Sequence, residues 1–221
     1  MSRTPTKTTS RADPRTALWV WAVAFGLLTY LVARGRTVWF DQPVAQWVAS
    51  LRSSALDGPM KCATLFGILN WAVCGLLGLS LWAWRRDETR ASIPTFLAAF
   101  LIGMAMETVL KLTVPHWRPS VTALPASMDA ATRLRLAGFP SGHAFYSSYV
   151  FGWLARELAL WKTWWALLLR LGCVTLIGLV GFSRLYLNRH WASDVLGSWF
   201  LALLVFAIVR CWEQGTNKRV V

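Results

Sequence analysis

The chain has 221 residues, 56% of them hydrophobic, with 15 tryptophans and a mean hydropathy of +0.44. That is too apolar for an ordinary soluble domain and long enough for one compact helical bundle, which excludes a multi-domain soluble protein. The formal net charge of +13 could suit nucleic acid. However, the charges flank apolar runs and form no separate basic stripe, so anionic lipid headgroups are the expected general partner and nucleic acid is not.

Residues 1–16 are polar and rich in Thr, Ser and Arg, which predicts a disordered N-terminus. The apolar run from Ala17 to Ala33 follows and reads as an uncleaved first span; its many aromatics and the lack of a clear small-x-small site argue against a signal peptide. From Val38 to Leu56, apolar residues alternate with Asp41, Gln42, Gln46, Ser50 and Arg52, the pattern of an amphipathic interfacial helix with Pro43 in its first turn. Further spans are expected at about 61–84, 93–112, 143–160, 163–182 and 191–211, giving six. The fold expected is therefore all-α and polytopic: one transmembrane domain over 17–212 and a tail over 213–221. Cys62, Cys74, Cys173 and Cys211 are far apart, with no CxxC pair, and read as buried thiols.

Basic residues orient the spans. With the N-terminus inside, cytoplasmic segments carry Arg3, Lys7, Arg11, Arg15, Arg85, Arg86, Arg90, Arg156, Lys162, Arg210, Lys218 and Arg219. Both termini are then cytoplasmic. The same count puts three polar stretches on the outer face: Lys111 to Pro119, Pro140 to His143, and Ser183 to Asp194. All three histidines of the chain lie within them. Ionised groups at the ends of apolar runs are costly without a partner or a task.

Those stretches carry a set of groups suited to phosphate chemistry. Lys111, Arg118 and Arg184 can surround a tetrahedral dianion and neutralise charge in phosphoryl transfer, and arginine adds a planar fork that donates two parallel bonds. Gly142 permits close backbone approach and Ser141 offers a hydroxyl. A helix beginning at PSGH would aim its free N–H groups at the anion. His190 and Asp194, four apart, would share a helix face, with Asp194 holding one ring N–H and leaving the other nitrogen bare for attack. His143 would protonate the leaving group and then activate water. Glu107, one turn before Lys111, suits a salt bridge that orients it. His116 reads as structural or peripheral, and Arg189 as a headgroup contact. Arg133 and Arg135 read as solvated charges in a long loop, 119–138, that borders the site. Zinc is the rival use of two histidines and a carboxylate, but three nearby cations oppose a divalent ion, so no metal or cofactor is expected.

The pattern K-x6-RP, PSGH, SR-x5-H-x3-D resembles the membrane branch of the type 2 phosphatidic acid phosphatase superfamily. Lys111, Arg118 and Pro119 match the first motif, Pro140 to His143 the second, and Ser183, Arg184, His190 and Asp194 the third. The resemblance covers roughly residues 60 to 210. It implies a six-helix bundle of the phosphatase/haloperoxidase type in the bacterial inner membrane, with the site facing the periplasm or exterior. It also implies metal-independent hydrolysis through a phosphohistidine on His190, with His143 as general acid and base. Undecaprenyl pyrophosphate is the leading lipid substrate expected, followed by phosphatidylglycerophosphate and phosphatidic acid. A non-catalytic lipid-phosphate transporter or binding protein is the alternative of another class, and it would have no need of an oriented His190–Asp194 pair.

Overall fold

The computed structural model describes residues 13–85, 93–125 and 127–217. Among these the structure is helical, with one isolated bridge between Trp117 and Ala137 and no strand. In chain order the helices are α1 (Pro14–Ala33), α2 (Val38–Ser50), α3 (Ser54–Leu65), α4 (Leu69–Trp84), α5 (Ile93–Thr113), α6 (Ala130–Leu136), α7 (Gly142–Leu158), α8 (Trp164–Tyr186) and α9 (Ala192–Asn217). The expected disorder over 1–16 falls mainly on residues 1–12, outside the described residues, as do the orienting charges Arg3, Lys7, Arg11, Arg86, Arg90, Lys218 and Arg219.

Helix α1 starts at Pro14, ahead of the Ala17 boundary read from hydropathy. The Asp13 carboxylate accepts the Arg15 N–H at 3.0 Å and Pro14 takes a first-turn position, a start signal that hydropathy does not weigh.

The Val38–Leu56 helix is in fact two. α2 ends at Ser50, and α3 begins at Ser54 after a turn anchored to the end of α8: Arg52 Nε donates to the Tyr186 carbonyl at 3.0 Å and the Ser53 N–H to the Tyr186 hydroxyl at 3.0 Å. Pro43 lies inside α2 rather than in its first turn. α2 buries Asp41 and Val48 and exposes Trp39 and Trp47.

The 61–84 span is also interrupted. α3 and α4 meet at a break over residues 66–68 with a 51° bend. Gly67 sits in that break, where a Cβ would meet the His143 carbonyl oxygen at 2.7 Å and Val180 Cγ1 at 2.8 Å. Only a glycine lets the bend press against the backbone of the PSGH motif. The Gly67→Ala variant is therefore expected to lose both thermal stability and turnover. A melting curve in detergent beside a phosphate-release assay checks this, and a variant that matches the wild type in both would sink it.

Among the described residues four helices are long and apolar enough to cross a membrane: Pro14–Ala33, Ile93–Thr113, Trp164–Tyr186 and Ala192–Gly215. The bent α3–α4 pair makes a fifth if it counts as one span. α7, expected as the fourth of six spans, has 17 residues and carries His143, Tyr146, Ser147, Ser148 and Tyr149, which lower its hydropathy.

α9 is the central helix, its apolar window 67% buried against 11% to 28% for the other three. α1, α2, α5, α7 and α8 all pack on it, and α7 packs most extensively on α8. Apolar surface left exposed on α1, α4, α5 and α8, such as Trp19, Leu27, Leu77, Leu101 and Leu168, suits a lipid surround. Cys62 and Cys74 lie exposed on α3 and α4 rather than buried as expected, because in a bilayer-type fold an apolar neighbourhood can be lipid instead of protein.

An aromatic column of Phe96, Phe100, Phe145, Tyr149, Trp153 and Phe206 fills the space between α5, α7 and α9, and the Tyr149 hydroxyl donates to the Phe96 carbonyl at 2.7 Å. Rings seat against glycines where helices approach closely, as Phe206 does at Gly152 and Trp199 at Gly181. This packing of rings against small residues supplies dispersion energy where the hydrophobic effect between helices is weak.

Candidate active site

The three polar stretches converge at one end of the bundle. Lys111 stands in the last turn of α5, and His143 in the first turn of α7. Arg184 is in the last turn of α8, and Asp194 in the first turn of α9. The motif loops are sewn together by backbone contacts: the Ser141 N–H donates to the Asp194 carbonyl at 3.2 Å, and Ser198 Oγ reaches both the Ser141 and Asp194 carbonyls at 2.8 Å.

His190 precedes α9 rather than lying on it, so the shared helix face expected from the i,i+4 spacing is not how the pair forms. After α8 ends, Asn188 turns the chain through a positive φ of 55°, a conformation asparagine tolerates better than most residues. The Arg189 and His190 N–H groups then fold back onto the Arg184 carbonyl at 2.9 and 3.3 Å. Asp194 reaches back in the manner of a capping box: its Oδ2 accepts the Trp191 N–H at 2.9 Å and lies 3.2 Å from His190 Nδ1. Since an ionised carboxylate only accepts, Nδ1 carries the proton in this pair and Nε2 keeps its lone pair.

Both members are deeply buried. Burial first, and then the charges of Arg118, Arg184 and Lys111, hold the His190 ring well below the ordinary imidazole range, so it is neutral at pH 7. The same three cations act on His143, which arrives from a different helix.

Each cation has a support. Glu107 forms an ion pair with Lys111 and also bonds the Tyr146 hydroxyl. Arg118 Nε donates to the Ala137 carbonyl at 3.1 Å, which leaves its terminal nitrogens for other partners. Arg184 Nη1 donates to Thr64 Oγ1 at 2.5 Å. The buried Ser141 hydroxyl and Arg184 Nε have no hydrogen-bond partner among the described residues. Buried donors without partners beside a helix N-terminus fit an anion that would bond them. Gly142 is buried at that N-terminus, and a Cβ there would meet Glu107 Oε1 at 2.9 Å.

The 119–138 loop carries α6 and is tied to the first motif by the Trp117–Ala137 bridge and by Arg118 N–H to the Leu136 carbonyl at 3.1 Å. Arg133 stacks over the Trp117 ring at 5.6 Å, and Arg135 is exposed and bonds Thr132. Arg189 is also exposed.

Several neighbours of the site were missed in the sequence. Thr64, an isolated hydroxyl in an apolar run, offered no signal. Asp41 was read only as part of a polar face, yet it is buried and accepts both the N–H and the hydroxyl of Ser193 at 2.8 Å, tying α2 to the start of α9. His116, read as structural or peripheral, lies 3.4 Å from Asp194 Oδ1. No group of three or more metal-ligating side chains occurs among the described residues.

His116 is likewise held below the usual imidazole range, by burial against the opposing pull of Asp41. An unfolded chain protonates both rings near pH ~6.5, whereas the folded protein resists it. The stability they contribute is therefore complete above that pH and declines as the pH falls below it. The melting midpoint in detergent is expected to drop between about pH 7 and 5, and a double His116→Gln/His190→Gln variant to show a shallower drop. Parallel pH profiles for the two proteins would refute this.

Comparison with known proteins shows the family to which the chain belongs. Residues 92–218 match the family model of the PAP2 superfamily. Phosphatidylglycerophosphatase B of Bacillus subtilis (strain 168) is 32% identical over 184 residues, 80% of this chain and 85% of that protein. Undecaprenyl-diphosphatase BcrC of the same organism is 27% identical over 165 residues, 71% of this chain and 74% of its own. In fold, the chain superimposes on the crystal structure of a transmembrane PAP2-type phosphatidylglycerolphosphate phosphatase from Bacillus subtilis with a TM-score of 0.74 at 21% identity, covering 90% of this chain and 96% of that one. With more than half of its length matched by the family model and a relative 32% identical over 80% of the chain, the chain belongs to the PAP2 superfamily and is an enzyme of its membrane phosphatase branch.

Proposed function

We propose that the protein hydrolyses the terminal phosphate of a membrane lipid through a phosphohistidine, without a metal. The observation that carries this reading is the His190 ring. It is buried and neutral, with Nδ1 held by Asp194 at 3.2 Å, and it faces Lys111, Arg118 and Arg184 together with a second histidine from another helix. The anionic substrate offsets the cations around His143, which takes up a proton from solvent as the lipid binds. Nε2 of His190 then attacks phosphorus in line; the bond to the leaving oxygen breaks, and His143 gives its proton to that oxygen. His143 then takes a proton from water as the water attacks phosphorus; the P–N bond breaks and inorganic phosphate leaves. Asp194 stabilises the charge that grows on the His190 ring. The three cations, the Ser141 hydroxyl and the N–H groups at the start of α7 meet the charge on the phosphoryl oxygens.

Undecaprenyl diphosphate is the leading substrate, in keeping with the diphosphatase relative. Phosphatidylglycerophosphate is a second reading, favoured by the 32% identity to a phosphatidylglycerophosphatase; phosphatidic acid follows. The motif groups recognise phosphate rather than what lies beyond it, so they do not rank these lipids. In the membrane, α7 and the bent α3–α4 pair complete six spans, and α2 lies at the interface with Trp39 and Trp47 outward. The termini are cytoplasmic and the site opens to the periplasm or exterior.

The test is phosphate release by the purified protein in detergent with a chelator present, offering the three lipids side by side. Release by the wild type that survives chelation is the expected result, and the order of rates names the lipid. Loss of release on chelation, restored by a divalent ion, would overturn the metal-free mechanism; binding of the lipids without release would favour the transporter reading.

A further inference from the structure

The Asp194 carboxylate is gripped from two sides, and the mechanism above uses only one. Oδ2 takes the Trp191 N–H and the His190 ring, whereas Oδ1 faces His116 Nε2 at 3.4 Å. Both Oδ1 and His116 Nε2 are buried, and neither has a hydrogen-bond partner among the described residues. A buried acceptor and a buried donor, each without another partner and this close, satisfy one another with a small adjustment.

The backbone holds His116 in that place. Its N–H donates to the Val114 carbonyl at 2.9 Å and its own carbonyl takes the Gly138 N–H at 2.7 Å, beside the Trp117–Ala137 bridge. Trp191 Nε1 donates to the Trp117 carbonyl at 2.9 Å, fastening this loop to the residue next to His190. On a further side the carboxylate meets Gly138, where a Cβ would come within 2.7 Å of Oδ2. A carboxylate held at one oxygen can still rotate, and one held at both cannot.

We propose that His116 is a positioning residue for the reaction: its Nε2–H fixes Asp194 Oδ1, so that Asp194 holds the His190 ring in line with the phosphorus. This rests on the hydrolase reading above. A direct substrate contact is the rival role, because His116 also lines a cavity of about 290 Å³ together with Asp41, Gln42, Arg118 and Trp191. The two roles separate in kinetics: an aligning group alters turnover, and a substrate contact of the ground state alters KM.

The experiment measures kcat and KM for dioctanoyl phosphatidic acid with the full-length protein in detergent. It compares the wild type with His116→Leu, His116→Gln and His116→Asn, and uses His190→Ala as the background. Leucine is expected to lower kcat about tenfold or more, as loss of a group that orients a reacting one commonly does, with KM nearly unchanged. Glutamine, whose amide N–H can reach the position of Nε2, is expected to recover most of that loss, and the shorter asparagine to recover little. Undiminished kcat in the leucine variant, a rise in KM alone, or equal losses in all three variants would overturn the proposal while leaving the hydrolase reading intact. If the leucine variant does not fold, the glutamine–asparagine comparison decides, and equal activities there overturn it. A wild type that releases no phosphate from this lipid or from either of the other two overturns the hydrolase reading and this proposal with it.

Discussion

Replacing His190 with alanine is expected to lower kcat for phosphate release by about ten-thousand-fold or more, because removing the nucleophile from a group that acts as a unit leaves only binding and charge stabilisation. The geometry says why so much depends on one ring. His190 is buried and uncharged, Asp194 Oδ2 lies 3.2 Å from its Nδ1, and in the proposed mechanism the cations around it attract the phosphoryl group that it attacks. Asp194→Asn should cost roughly a thousandfold, since an amide can present its N–H to Nδ1 and reverse the tautomer. His143→Ala should behave differently with an activated aryl phosphate. That leaving group needs no proton, so the first step survives and the second, which needs a base, stalls. Acid-labile phosphate bound to protein should therefore accumulate in His143→Ala and be absent from His190→Ala. Rapid quench with radiolabelled substrate reads both. A folded His190→Ala protein that retains activity within tenfold of the wild type would end the phosphohistidine mechanism.

The second large effect is expected at Arg184, where alanine should reduce kcat/KM by about a thousandfold, the scale of an arginine that meets transition-state charge on a phosphoryl group. Arg184 is buried, fixed through Nη1 on Thr64, and its Nε has no partner among the described residues. Lysine should restore only a small part, because an ammonium group lacks the planar fork. Thermal stability should move the other way. Burial, and then the Arg118 and Arg189 charges, weigh against the charge on Arg184, and the proposed phosphate site is strained by like charges when no dianion fills it. The Arg184→Ala variant should thus melt at or above the wild-type temperature while losing activity. Inorganic phosphate should raise the melting point of the wild type more than that of the variant. A variant that loses stability and activity together would place Arg184 in the framework of the fold instead of at the phosphate.

Much of this was legible in the residues. The all-helical class, the long apolar runs and the three polar stretches at their ends follow from periodicity and from the cost of placing ions beside apolar segments, and the resemblance to a family supplied the motif pattern within those stretches. Elsewhere the one-dimensional reading failed for identifiable reasons. The breaks that end α2 and bend α3 into α4 are not marked by hydropathy, although Gly67 permits the second of them. They follow from what those segments meet: Tyr186 at the end of α8, and His143 and Val180 at Gly67. Hydropathy sums a window and is blind to such contacts. His116 and Asp41 were underrated for the same reason, because a polar residue's task depends on the partner it finds across the chain, 78 positions away for His116–Asp194 and 152 for Asp41–Ser193.

By itself, then, the sequence determined which groups are available and which ends of which helices carry them: two histidines, a carboxylate, three cations and a serine–glycine turn. Only the tertiary structure decided how they are aimed. It set His190 in a loop ahead of α9, brought Asp194 back to it through a cap, placed Thr64 under Arg184, and set His116 against the far oxygen of Asp194. Residue types follow from chemistry that can be read locally. Orientation comes from packing between helices distant in the chain, and in a buried site it is orientation that separates a reactive imidazole from a merely satisfied one.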